Sequence, residues 1–300
     1  MAHLPPARFG RVLTAMVTPF DAEGRLDLDA AGTLARWLVA NGSDGLVVNG
    51  TTGEAPALSP AETLDLIKAV REAVDCPVIA GTGSNDTRHA IEQSRAAADV
   101  GVDGLLIVTP YYNRPSQAGL EQHFRAVCGA TDKPVLLYDI PVRAGRKIDS
   151  DLILRLAHDL TTVVGLKDAA GNPAETGRVI AEAPADFSVY SGDDGLTLPL
   201  LSLGAVGVIG VATHWAGKLM GQMIDAVDRG ELATARTLNQ QLLASYAFES
   251  TLAAPNPVPA KAMMRVLGLP VGHLAKILGG LIHVLLQLGL GIIQGQHHLP

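Results

Sequence analysis

A repeat restricts this chain more than any other feature. Ala40-Asn41-Gly42-Ser43-Asp44-Gly45-Leu46-Val47-Val48 returns as Asp99-Val100-Gly101-Val102-Asp103-Gly104-Leu105-Leu106-Ile107-Val108, with a third echo at Leu203-Gly204-Ala205-Val206-Gly207-Val208-Ile209. Each copy reads as a helix end, a glycine able to take positive φ, a tight turn and a short apolar strand. The strands are continuous apolar runs, the mark of parallel strands covered on both faces. Candidate strands begin near Val12, Leu46, Val78, Leu105, Val135, Val163, Phe187 and Val206, at spacings that hold a strand, a loop and a helix. Ser59-Pro60-Ala61-Glu62 is a capping box with proline at the first helical position, and Asn172-Pro173-Ala174-Glu175 repeats the device. Eight such units predict an α/β fold, a (β/α)8 TIM barrel. An open doubly wound sheet is the competitor, but no G-x-G-x-x-G follows the first strand.

After Gly230 the pattern is helical only, over Glu231 to Leu252 and Pro259 to Leu267, with Pro255-Asn256-Pro257 as the break. The expected organisation is a barrel carrying the catalytic site over 1–230 and a C-terminal helical region over 231–300. Leu278 to Ile293 is almost wholly apolar yet short for a membrane span, so it is expected to pack on the body or on a sister subunit. With 48% hydrophobic and 18% charged residues the chain has ample material for a core. A net charge of -7 argues against a nucleic-acid or anionic-membrane partner. Two cysteines, Cys76 and Cys128, each placed in a helical or helix-end stretch, and an N-terminus without signal-peptide character point to a reduced, cytoplasmic protein.

In such a barrel the loops after the strands build the site. Asn49-Gly50-Thr51-Thr52-Gly53-Glu54 follows the second strand, and its glycines let backbone N–H groups approach a small anion, although an ordinary Gly-Thr turn reads the same. The loop after the fourth strand carries Tyr111 and Tyr112; adjacent exposed tyrosines more often form an interface than a catalytic pair. Tyr138 ends the fifth strand as a possible acid or base relay, and Arg143 follows as a carboxylate clamp. Lys167 ends the sixth. An ammonium has no structural use on an apolar strand, and a desolvated amine there can attack a carbonyl; the plainer reading is an ion pair with Asp168. Ser191-Gly192-Asp193-Asp194 follows the seventh strand. His123, His158 and His214 fall on helices or helix starts, and no metal or nucleotide cofactor is suggested. Amine, proton relay and anion clamp together describe Schiff-base chemistry on a keto acid.

Gly50-Thr51-Thr52-Gly53-Glu54, Ala80-Gly81-Thr82-Gly83, Val108-Thr109-Pro110-Tyr111-Tyr112-Asn113-Arg114-Pro115 and Gly165-Leu166-Lys167-Asp168 resemble the pyruvate-dependent class I aldolases, the N-acetylneuraminate lyase family. The resemblance runs in order from about Phe9 to about Gly268. It implies that Lys167 forms the imine with pyruvate, without a further cofactor. Thr51, Tyr138 and Tyr112 would relay protons, Tyr112 reaching in from a neighbouring subunit of a homotetramer. Thr52, with the backbone of its loop including Gly50, would hold the pyruvate carboxylate, and Ile209 would line the pocket. Arg143 would bind L-aspartate 4-semialdehyde, which favours the branch that condenses it with pyruvate in lysine and diaminopimelate biosynthesis. Branches cleaving sugar-derived keto acids, and a pyruvate-binding regulator without turnover, are the alternatives. Some positions depart from the family pattern: Asp139 stands for an asparagine, Ala144 and Ala170 for threonines. Of the polar set in lysine-inhibited members only Asn85 and Tyr111 match; Ala55, Pro60, Thr63 and His89 replace the rest, so weak or absent inhibition by lysine is expected.

Overall fold

In the structure, a computed structural model describing residues 3–272, eight parallel strands close into a barrel. They are β1 (Val12–Ala15), β2 (Gly45–Val48), β3 (Val78–Gly81), β4 (Gly104–Val108), β5 (Val135–Asp139), β6 (Val163–Asp168), β7 (Ser188–Ser191) and β8 (Gly207–Gly210). Each pairs with its successor, and β8 returns to β1 through Val12↔Val208 and Leu13↔Ile209, so the ring leaves no edge for the open-sheet alternative. Around it lie α1 (Leu28–Ala40), α2 (Pro60–Ala73), α3 (Thr87–Val100), α4 (Gln117–Cys128), the single turn α5 (Pro141–Ala144), α6 (Ser150–Asp159), α7 (Pro173–Glu182), α8 (Thr197–Ser202) and α9 (Thr213–Asp228). Two further helices follow, α10 (Leu232–Glu249) and α11 (Val258–Val266). The apolar stretch 278–293 lies outside the described residues. Among those described, no helix is long and apolar enough to cross a membrane.

The strand positions follow from burial on both faces, and the turns follow from glycine. Gly42, Gly101 and Gly204, the shared glycines of the repeat, all take positive φ, at 104°, 87° and 106°. Ser59 caps α2 as expected: its Oγ accepts the Glu62 N–H at 3.3 Å and Glu62 accepts the Ser59 N–H at 2.8 Å. The second device is only half built. Asn172 Oδ1 accepts the Glu175 N–H, but the Glu175 carboxylate accepts from Asn172 Nδ2 at 2.9 Å and from Lys147 Nζ at 2.5 Å instead of from the Asn172 backbone N–H. Helix α10 stops at Glu249, short of the expected Leu252. There Ser250 and Thr251 hydroxyls accept the N–H groups of Asn256 (3.3 Å) and Ala254 (2.9 Å), local bonds that compete with helix continuation. Cys128 ends α4, whereas Cys76 lies in the turn before β3 instead of on a helix; both are free thiols.

Two apolar layers sandwich the strands. Leu105, Ile107, Leu137 and Leu166 face outward onto helices, while Leu13, Val47, Leu136, Tyr138 and Tyr190 fill the barrel interior. On β6 the alternation is interrupted. Val135 pairs with Val163, but Leu136 pairs with Gly165, so Val164 is an extra residue without a partner on β5. This bulge shifts the parity: Leu166 goes outward and Lys167, opposite Tyr138, comes inside. Only glycine fits at the bulge, since a Cβ on Gly165 would stand 2.2 Å from the Ser188 carbonyl oxygen.

Candidate active site

A cavity of about 520 Å³ opens at the C-terminal ends of β2 to β5, where Gly50, Thr51, Tyr138, Ile140 and Arg143 contribute to its wall. The loops that shape it are strained. All four positive-φ non-glycine residues among those described, Asn49, Glu54, Tyr112 and Arg114, lie in the loops after β2 and β4. Asn49 donates from Nδ2 to the Gly81 carbonyl at 2.8 Å, and Thr18 Oγ1 donates to the Gly53 carbonyl at 2.6 Å, which together pin the Gly50–Gly53 turn. Thr52 is buried, its hydroxyl accepting from Asn256 Nδ2 at 2.9 Å. Arg143, on α5, donates to the Asn256 carbonyl at 3.3 Å. Asn256, just before α11, thus ties the anion loop to the arginine.

Lys167 is buried, with its Nζ 4.4 Å from the centroid of the Tyr138 ring. It stands deeper than expected: the cavity wall is Tyr138, and the amine lies over that ring instead of lining the cavity itself. The inward turn at the β6 bulge, not the open mouth, decides this depth. Burial lowers the amine from its usual 10.5 to about 8, with the Arg143 charge acting in the same sense and Asp194 opposing both. The ion pair with Asp168 is absent. Asp168 instead accepts from Thr176 Oγ1 at 2.5 Å and from the Ala170 N–H at 2.9 Å. The Tyr138 phenol is pushed up to about 12 by burial, against the lowering effect of Arg143 and of a hydrogen bond with Thr51. It therefore remains a proton donor at neutral pH, linked to a hydroxyl that can pass the proton outward.

Two further residues expected at the site differ in their placement. Ile209 is buried inside the barrel in the same apolar cluster as Tyr138. Tyr112 is 89% exposed, on the strained turn after β4, and its own chain does not bring it to the cavity. Its neighbour Tyr111 does line it, with Ala55, Pro60, Thr63 and His89. His214 is packed: Nε2 accepts the Val17 N–H at 3.1 Å and Nδ1 donates to the Val211 carbonyl at 2.8 Å, while burial takes it down to about 4. His123 is buried beside Thr87, and His158 bonds the Glu182 carbonyl. No group of three or more His, Cys, Asp or Glu among the described residues is placed to hold a metal ion.

A closed parallel barrel that keeps a desolvated lysine over the ring of a phenol bonded to a threonine defines a carbonyl-binding, imine-capable class of protein. Comparison with known proteins narrows the class. The pattern of the dihydrodipicolinate synthetase family matches residues 8–277, and the chain belongs to that family. The 4-hydroxy-tetrahydrodipicolinate synthase of Moorella thermoacetica is 49% identical over 88% of this chain and 90% of its own. A dihydrodipicolinate synthase from Cyanidioschyzon merolae, solved with lysine bound, superposes with a TM-score of 0.93 at 41% identity, covering 97% of this chain and 99% of that one. A chloride-inhibited dihydrodipicolinate synthase from Acinetobacter baumannii, solved with pyruvate, gives 0.91 at 33% identity over 97% and 100%.

Sequence reasoning missed three residues of the site. Asp139 is buried behind Tyr138, accepts the Ile148 N–H at 3.1 Å and is pushed up to about 7, chiefly by burial. Asn256 looked only like a helix break. Glu249, at the end of α10, reaches Asp194. The first carried a signal, a carboxylate on an apolar strand; the other two depend on contacts far apart in the chain.

Proposed function

We propose that this protein condenses pyruvate with L-aspartate 4-semialdehyde to give 4-hydroxy-tetrahydrodipicolinate, a step of lysine and diaminopimelate biosynthesis, as a lyase of the cytoplasm. The observation that carries the reading is Lys167, a buried amine lowered to about 8, over the ring of a phenol that bonds Thr51. Its neutral fraction attacks C2 of pyruvate, and water leaves to form a protonated imine. That imine withdraws electrons, so the methyl carbon loses a proton and becomes an enamine. The enamine carbon attacks the aldehyde of the second substrate. The amine of that substrate then displaces Lys167 as the ring closes, so no cofactor beyond the imine is needed.

Tyr138 and Thr51 carry the protons, and Tyr112 completes the relay from a neighbouring copy, in line with its exposure on its own chain. Thr52 and the Gly50 backbone take the pyruvate carboxylate, Ile209 closes the apolar side, and Arg143 receives the carboxylate of the semialdehyde. An arginine at the rim favours a small charged aldehyde over a neutral sugar chain. Borohydride reduction with pyruvate, read by the mass of the Lys167 peptide, tests the imine. Supplying aspartate semialdehyde, N-acetylneuraminate and 2-keto-3-deoxygluconate separately tests the second substrate; consumption of a sugar acid alone defeats the reading. Ala55, Pro60, Thr63 and His89 stand where lysine-inhibited members carry a serine, two histidines and a glutamate, so millimolar lysine is expected to leave turnover nearly unchanged. A micromolar inhibition constant contradicts that.

A further inference from the structure

Beside the Lys167 stem, where the loop after β7 meets the end of α10, two carboxyl groups come together. Asp194 opens a short 3-10 turn after β7 and is 1% exposed. Its Oδ2 accepts the Val211 N–H at 2.8 Å, but its buried Oδ1 has no donor among the described residues. Glu249 comes from the last residue of α10, a helix outside the barrel, and its buried Oε2 likewise has no donor. The two side chains hydrogen-bond each other, and Glu249 also accepts the Ala212 N–H. Two ionised carboxylates cannot bond one another; one proton between them satisfies both orphaned oxygens at once. We propose that Asp194 and Glu249 share a single proton, held on Glu249, and that the resulting single negative charge is the counter-charge governing the proton affinity of Lys167.

The surroundings favour this arrangement. Packing brings the 191–194 loop onto the lysine stem, since a Cβ on Gly192 would stand 3.0 Å from Lys167 Cγ. The other titratable groups facing the pair are Asp193, next in the chain, and Tyr246 on α10, whose phenol burial and these carboxylates keep protonated. His214, on α9, is neutral and turned to Val17. On the cavity side, Arg143 and Tyr138 face the amine. Burial raises both carboxyls, and the Asp194 charge raises Glu249 further, while the Val211 N–H and the Lys167 charge hold Asp194 down, so the glutamic acid donates and the aspartate carries the charge. Glu249 is therefore a positioning residue: it acts on Lys167 through Asp194.

This inference rests on the Schiff-base reading for its purpose, but its test does not need pyruvate. Acetic anhydride labelling of Lys167, followed by mass spectrometry across a pH series, reads the amine's proton affinity directly. Asp194→Asn is expected to move the labelling midpoint down by about one pH unit, the effect of losing a nearby opposite charge. Glu249→Leu removes the donor, so Asp194 holds its charge less firmly and the midpoint moves the same way by a smaller amount. Glu249→Gln donates the same bond and is expected to restore the wild-type midpoint. A wild-type midpoint in Asp194→Asn or Glu249→Leu overturns the proposal, as does a Glu249→Gln midpoint displaced as far as that of Glu249→Leu. Should Glu249→Leu fail to fold, Asp194→Asn and Glu249→Gln still decide. Absence of a borohydride-trapped pyruvate adduct in the wild type defeats the Schiff-base reading alone.

Discussion

At pH 7 an amine titrating near 8 is uncharged in about one molecule in ten, enough for attack on a ketone yet far above the fraction for an exposed lysine. Two expectations follow from that residue. Imine formation falls as pH drops below about 8, because the nucleophilic form is lost; a pH-independent rate from 6 to 9 contradicts this. Lys167→Ala keeps the fold by circular dichroism and loses nearly all turnover. Lys167→Met tests the energetic side. The folded protein binds the lysine proton more weakly than the unfolded chain does, so the wild type is at its relative weakest below pH 8 and recovers as pH rises toward 10.5. The methionine variant is accordingly expected to gain up to about 3 kcal/mol at pH 7 in urea unfolding, with the gain shrinking above pH 8. Equal stability of the two at pH 7 counts against a strained, desolvated amine.

Among the elements, β6 does most to place chemistry. Gly165→Ala forces a methyl group toward the Ser188 carbonyl, so the bulge must open and the β6–β7 pairing must shift. A loss of about 1–3 kcal/mol is expected, together with a disproportionate loss of borohydride trapping as Lys167 leaves its inward position. Trapping that survives in proportion to folded protein shows that the bulge does not aim the lysine. The bulge also marks how far the sequence could be read. Strand starts were legible to within one residue because runs such as Val135-Leu136-Leu137 are buried on both faces. The same continuity hides an extra residue, since an apolar run without alternation gives no count of which side chains face in. Lys167, Tyr138 and Arg143 were legible as polar groups at strand ends. Glu249 was not: at the end of a largely solvated helix it reads as one more surface charge, and only long-range packing brings it to Asp194.

For the molecule as a whole, the helices after the barrel are bound into its mouth. Lys261 on α11 forms a buried ion pair with Glu54 at 2.6 Å, its Nζ also 4.4 Å from the Phe20 ring centroid. Lys261→Met leaves the Glu54 carboxylate buried beside an apolar group, and a loss of about 3–5 kcal/mol is expected in urea unfolding. Adding Glu54→Gln removes that charge and should recover part of the loss. Assembly has its own test. Tyr112→Phe and Lys167→Ala, each inactive alone, should regain turnover when unfolded together and refolded as mixed oligomers, because a hybrid holds one intact site; no recovery means that Tyr112 is not shared between copies.

Asn256 touches both Arg143 and, 204 residues away in the chain, Thr52. During translation, therefore, the loop formed early by residues 49–54 waits for a partner made near the end. A ribosome-bound fragment that has already closed eight strands still lacks the contact that joins this loop to Arg143.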